Sequence, residues 1–144
     1  MITGDDYISL AANLAAKRGA GEASYRSAVS RAYYGAFHLA RKFLSDLGLG
    51  VPQGAGSHGW IPQVLIGCGC QEAADAGRLL QDLHAERIVA DYRWEKPATG
   101  NQNDAKTSVE TAHEIGALLV ACTAPPRKSI IKTGVASYLR KRGG

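Results

Sequence analysis

Two lines of polar side chains in this chain have the types and the spacing to do chemistry. On one, Leu80, His84, Arg87 and Asp91 follow at steps of four, three and four, which aligns them along a single helix face. On the other, Ser27, Arg31, Tyr34, His38 and Arg41 follow at steps of four, three, four and three. Histidine changes charge near neutral pH, and arginine holds a permanent charge behind a fork of donors. A strip with both can move a proton beside a bound anion. The same spacing also suits a solvated helix edge. There His38 would be hydrogen-bonded to a neighbour, and Arg87 and Asp91 would form an i, i+4 ion pair worth about 0.3 to 0.5 kcal/mol. Both readings fit the residues as they stand.

Other chemistries are absent from the sequence. There is no phosphate-cradling glycine loop, no nucleophile elbow and no zinc-type spacing of cysteine and histidine. Cys68 and Cys70 with His58 do not make a metal set, since the two cysteines are one residue apart and a fourth ligand is missing. No metal and no cofactor are therefore expected. Glu86 and Asp91 are five apart and point in different directions, so they do not form a carboxylate pair.

The elements that must position these strips are helical. The segment 24–47 carries an unbroken apolar line of Tyr25, Val29, Ala32, Ala36, Ala40, Phe43 and Leu47, broadened by Tyr33, Phe37 and Leu44. It should lie deep in the molecule, with Ser24 as its N-cap and Gly48 and Gly50 as its stop. A first helix is expected over 6–17, capped by Asp5 or Asp6 and closed by Gly19 and Gly21. Residues 51–59 read as a loop, and a short helix begins near Ile61 because Pro62 belongs in a first turn. A long helix over 71–94 has Ala76, Leu79, Leu83 and Ala90 inward, and a loop follows at 96–103. Ala105, Val109, Ala112, Gly116, Leu118 and Leu119 mark a further helix, ended by Pro125 and Pro126. Ile131, Val135 and Tyr138 would give the tail a short amphipathic helix with its basic residues outward.

With no alternating apolar pattern to build a sheet, the expected class is all-α, an antiparallel four-helix bundle with extra short helices. At 144 residues and 45% hydrophobic, the chain suits one core. The expected division is a bundle over 1–125 and a basic tail over 126–144. The net charge of +4 is uneven: the tail has six basic residues and no acid, while the rest has 11 basic and 13 acidic residues. Basicity thus belongs to the tail and does not mark the body as a nucleic-acid binder. Asp5 and Asp6 stand where a signal peptide would be basic, no apolar run approaches membrane-spanning length, and three cysteines do not form a disulfide framework. A soluble cytoplasmic protein with reduced thiols is expected.

The segments SRAYYGAFHLARKFL at 30–44, SHG at 57–59 and LHAERIVADYRW at 83–94 together resemble the HEPN superfamily, most closely its small single-domain prokaryotic members. The likeness covers about residues 22–122. In that family an R-A-Y-Y-x-x-F-H helix packs with a later helix ending in R-x-x-A-D-Y. The resemblance implies an all-helical bundle that forms a homodimer or higher oligomer, with the later helix of each copy lining a shared cleft. It also implies an RNA-directed role, many members being metal-independent ribonucleases of toxin–antitoxin or defence systems, often paired with a nucleotidyltransferase.

The family's active site places a histidine four to six residues beyond its arginine. Arg87 fits the arginine, but Tyr92, Arg93 and Trp94 stand where the histidine belongs. Metal-free RNA cleavage needs a base for the 2′-hydroxyl, an acid for the leaving oxygen and a cation on the phosphate. Tyr92, with an ordinary pKa of about 10, is a poor substitute for an imidazole. His84, one turn before Arg87, and His38 or His58 from elsewhere remain to rewire such a site. The catalytic candidates are therefore Arg87, Asp91, Tyr92, His84 and His38, with Arg31, Tyr34, His58 and Arg93 as binding residues. The alternative is a non-catalytic module that oligomerises and presents the same surface to a nucleotidyltransferase or another protein. Tyr92 and Trp94 are the expected aromatic anchors of an interface.

Overall fold

Every apolar side chain on the line from Tyr25 to Leu47 is buried, as are Tyr33, Phe37 and Leu44. All but Leu47, its C-cap, belong to α2 (Glu22–Asp46), the longest of six helices in a computed structural model that describes residues 1–96 and 99–143. The others are α1 (Gly4–Ala16), α3 (Ser57–Gly67), α4 (Gln71–Tyr92), α5 (Gln102–Ala121) and α6 (Arg127–Gly143). No strand occurs among the described residues, and none of their helices is long and apolar enough to cross a membrane. Pro97 and Ala98 of the expected 96–103 loop, and Gly144 of the tail, lie outside the described residues.

Helix α2 packs against α1, α4 and α5, which form the four-helix bundle with it, while α3 lies on α4 and α6 lies on α3. The α1–α2 crossing is close because it is built on glycine. A Cβ on Gly35 would stand 2.6 Å from Cγ1 of Ile8 and 2.7 Å from the Gly4 carbonyl oxygen. The α3–α4 contact uses the same device at Gly77, where a Cβ would meet the Pro62 carbonyl oxygen at 2.8 Å.

Several boundaries differ from the sequence reading. Helix α1 starts at Gly4 with Thr3 as N-cap, and Asp6 closes a capping box with it; Asp5 and Asp6 are inside the first turn. Helix α2 starts at Glu22 after Gly21, whose φ of 100° no other residue adopts easily, so Ser24 is helical and not a cap. Helix α3 starts a full turn before the expected Ile61, and Pro62 lies inside it. Pro62 removes only the bond that its own N–H would have made to the His58 carbonyl. The extra turn is held by Ser57, whose hydroxyl donates to the Gly54 carbonyl at 2.6 Å, and by the packing of His58 on Phe37. On α4, Leu80 joins the core at 1% exposure, whereas His84, Arg87 and Asp91 on the same line are half-buried.

The segment after Pro126 is a 17-residue helix, longer than the short one expected. Ile131 and Val135 are fully buried in the same core as the bundle residues, while Lys132, Arg140 and Lys141 are exposed. Gly134 lies against the Cys68 carbonyl, Gly67 against the Tyr138 ring, and Arg142 donates to Gln63. Later residues of α6 thus meet earlier residues of α3, so the two helices run antiparallel.

Candidate functional site

The polar line of α4 faces the Ser30–Phe37 stretch of α2, and the first turn of α3 closes the space between them. From α4, Arg87 places its Nε 2.8 Å from Asp91 Oδ2. The approach is an ion pair without hydrogen-bond alignment, since Arg87 Nε has no partner in that geometry. Asp91 Oδ2 also accepts from the Ser30 hydroxyl at 3.0 Å. The Arg87 guanidinium lies over two rings, Tyr34 at 4.9 Å and Tyr92 at 5.3 Å. It is held on one edge by charge and on its faces by π clouds.

Beside it, His84 and His58 stack, with centroids 5.4 Å apart and planes within 9°. His58 is sandwiched further by Phe37 at 4.4 Å, and its Nδ1 is 2.5 Å from the Tyr33 hydroxyl. Tyr33 is completely buried, so its hydroxyl proton needs an acceptor, and Nδ1 of His58 serves. This assignment leaves neutral His58 with its proton on Nε2, as a donor.

Burial and neighbouring charge tune these groups. Burial lowers the His84 pKa and the Arg87 charge lowers it further. His58 is lowered by burial first, then by His84 and Arg87. Both rings are therefore neutral at pH 7. Burial pushes Tyr33 well above the ordinary tyrosine value, which keeps its proton available to His58. The arrangement offers an imidazole lone pair on His84, an imidazole N–H on His58 and a permanent cation on Arg87. These are parts that a phosphodiester can use.

The structure gathers His84, Arg87, Asp91, Tyr34, His58 and Tyr92, and adds Arg31 at their edge, its guanidinium over Tyr34 at 5.5 Å and over Tyr7 at 5.1 Å. It separates two expected residues from the cluster. His38 is exposed, packs on Tyr7 and Phe37, and touches the cluster only by a small electrostatic effect on His58. Arg93 pairs with Glu95 at 2.7 Å on the exposed end of the helix. The thiols of Cys68, Cys70 and Cys122 are all buried, and Cys68 donates to the Leu65 carbonyl.

Three contributors escaped the sequence reading. From the sequence Tyr33 reads as core alone, and nothing in its spacing marks Ser30. Arg26, 6% exposed, donates from Nη1 to the Val89 and Ala90 carbonyls at 3.1 Å each, and from Nη2 to Lys96 at 2.6 Å. It brings a charged donor to the carbonyls at the end of α4, of which Val89 also accepts from the Arg93 N–H, and so fixes the turn that carries Asp91. The available signal was its place between the buried Tyr25 and Val29, where a charged residue needs a partner.

Comparison with protein families gives a match to the HEPN domain over residues 9–122. No curated protein and no solved structure matches the chain.

Proposed function

The chain belongs to the HEPN domain family, and on that premise we propose that it is an RNA-directed module equipped for metal-independent cleavage, with His58, His84 and Arg87 at its centre. The observation that carries this reading is the stacked His58–His84 pair beside Arg87. An imidazole from α3 supplies what the positions after Arg87 lack.

In this mechanism Arg87 faces a phosphate whose negative charge grows in the transition state. His84, neutral at pH 7, takes the 2′-hydroxyl proton. The 2′-oxygen attacks phosphorus and the 5′-oxygen leaves, which yields a 2′,3′-cyclic phosphate and a 5′-hydroxyl. The seated phosphate raises the pKa of the adjacent imidazoles, so that His58 takes a proton from solvent on Nδ1, where the Tyr33 hydroxyl turns to accept it, and gives its Nε2 proton to the leaving oxygen. Asp91 and Ser30 orient the guanidinium.

The setting that fits is a toxin–antitoxin or defence system, with a homodimer sharing a cleft lined by α4 and a nucleotidyltransferase as partner protein. A cytoplasmic site of action accords with reduced, buried thiols.

The non-catalytic alternative rests on a specific observation. Arg87 already has Asp91 at 2.8 Å and rings on its faces, as a residue held for an interface would. One experiment separates the two. Purified protein incubated with transfer RNA in EDTA should leave 2′,3′-cyclic ends, and Arg87→Ala should abolish this with the helical circular-dichroism signal intact. A wild type that cuts nothing, together with an Arg87→Ala variant that loses a bound protein partner, decides for the interaction module.

A further inference from the structure

Next to the His58–His84–Arg87 cluster, on the other side of Asp91, lies a cavity of about 310 Å³ that the cleavage chemistry does not use. Its walls include Glu22, Arg26 and Ser27 from α2, Asp91 from the last turn of α4, and Trp94 from the turn that follows it. Trp94 is 74% exposed, yet its ring is not loose: the indole N–H donates to the Asp91 carbonyl at 2.9 Å. A large aromatic face is thereby fixed at the mouth of a cavity.

Charges around this cavity are matched. Glu22 pairs with Arg26 at 3.2 Å, and Asp91 pairs with Arg87. A wall with no surplus charge does not select a phosphate. It suits a flat, uncharged group with a polar edge, for which Ser27 offers a hydroxyl. Asp91, one turn beyond Arg87 on α4, links the two sites: its carboxylate pairs with the Arg87 guanidinium and its carbonyl holds the Trp94 indole. A phosphate on Arg87 and the base of an adjoining nucleotide on Trp94 would thus lie to either side of one residue.

We propose that this cavity is a nucleobase subsite, in which an unpaired base of single-stranded RNA stacks on Trp94 while the adjoining phosphate lies on Arg87. The proposal rests on the RNA-directed reading above. Bases of a duplex are already stacked and cannot enter, so the site selects single strands.

The test uses the full chain with Trp60→Phe, which leaves Trp94 as its only tryptophan. The probe is a ten-nucleotide 2′-O-methyl oligoadenylate, which cannot be cleaved through its 2′-oxygen. It should quench Trp94 emission, whereas an abasic backbone of the same length should not. In the natural sequence, Trp94→Ala should weaken oligoadenylate binding about 5- to 100-fold, with Trp94→Phe keeping most of the affinity, as a stacking platform requires. Unchanged binding in Trp94→Ala while Arg87→Ala still loses affinity overturns the subsite and leaves the RNA-directed reading in place. Unchanged binding in both variants overturns both. Equal quenching by the abasic backbone, or a Trp94→Ala protein that sediments as a smaller species than the wild type, assigns the ring elsewhere and also overturns the proposal.

Discussion

The imidazole planes of His58 and His84 are within 9° of parallel at a centroid distance of 5.4 Å, although one ring comes from the first turn of α3 and the other from α4. Protonating either ring places a charge against its neighbour and against Arg87. The depressed values of both histidines follow from burial and from that proximity.

Stability should therefore fall on mild acidification. The folded pKa of each ring lies below the unfolded value of about 6.5, so the contribution is present above that pH and is lost as pH falls through the folded value. Melting temperatures between pH 8 and pH 5 should drop less in His58→Phe than in the wild type. Identical slopes would show that the stack carries no proton-linked stability.

Arg26→Met should cost about 2 to 4 kcal/mol, because it takes the guanidinium donor from the Ala90 and Lys96 carbonyls and one of the two donors from Val89, whose other is the Arg93 N–H. Hydrogen exchange should quicken most in the last turn of α4. A uniform change across all helices would speak against a local clamp.

Gly35→Ala should destabilise by about 1 to 3 kcal/mol, since its methyl would press on backbone at the α1–α2 crossing. Gly116→Ala is the control. Its Cβ would meet only Leu39 at 3.4 Å, and a helical alanine there should be neutral or stabilising by up to about 1 kcal/mol. Urea melts of the two variants should move apart in that order.

Asp91→Asn removes the counter-charge of Arg87. If the guanidinium meets phosphate, RNA should bind several-fold tighter in low salt, and the salt slope should steepen by about one charge. An ion pair kept only for the fold would give a stability loss of about 1 kcal/mol or less and the same RNA affinity.

Replacing Lys132, Arg140 and Lys141 together by glutamine should weaken RNA binding and flatten its salt dependence without lowering the melting temperature, since all three are exposed. Deleting 127–143 is a poorer test. It would strip Ile131 and Val135 from the core and confuse charge with folding.

Periodicity located the buried face of α2 because seven residues at steps of three and four leave no other face for the core, and all seven are buried. Helix starts were less legible. Thr3 outcompeted Asp5 and Asp6 by closing a box with Asp6, and the turn before Pro62 depends on Ser57 and on ring packing from another helix. The α4 side of the candidate site could be read from the chain, because His84, Arg87 and Asp91 share one helix face. The contribution of His58 could not be located there, since it depends on how α3 lies against α2 and α4. Tyr33 was hidden by its own burial, which made a hydrogen-bond partner look like filler.

The clamp by Arg26 has a consequence for inheritance. A single guanidinium on α2 organises the tip of α4, so the backbone under Asp91 does not depend on which side chains occupy the neighbouring surface positions. Tyr92, Arg93 and Trp94 can drift without unravelling the helix that displays them. Surface chemistry at these three positions is in this way uncoupled from the frame that carries Arg87 and Asp91.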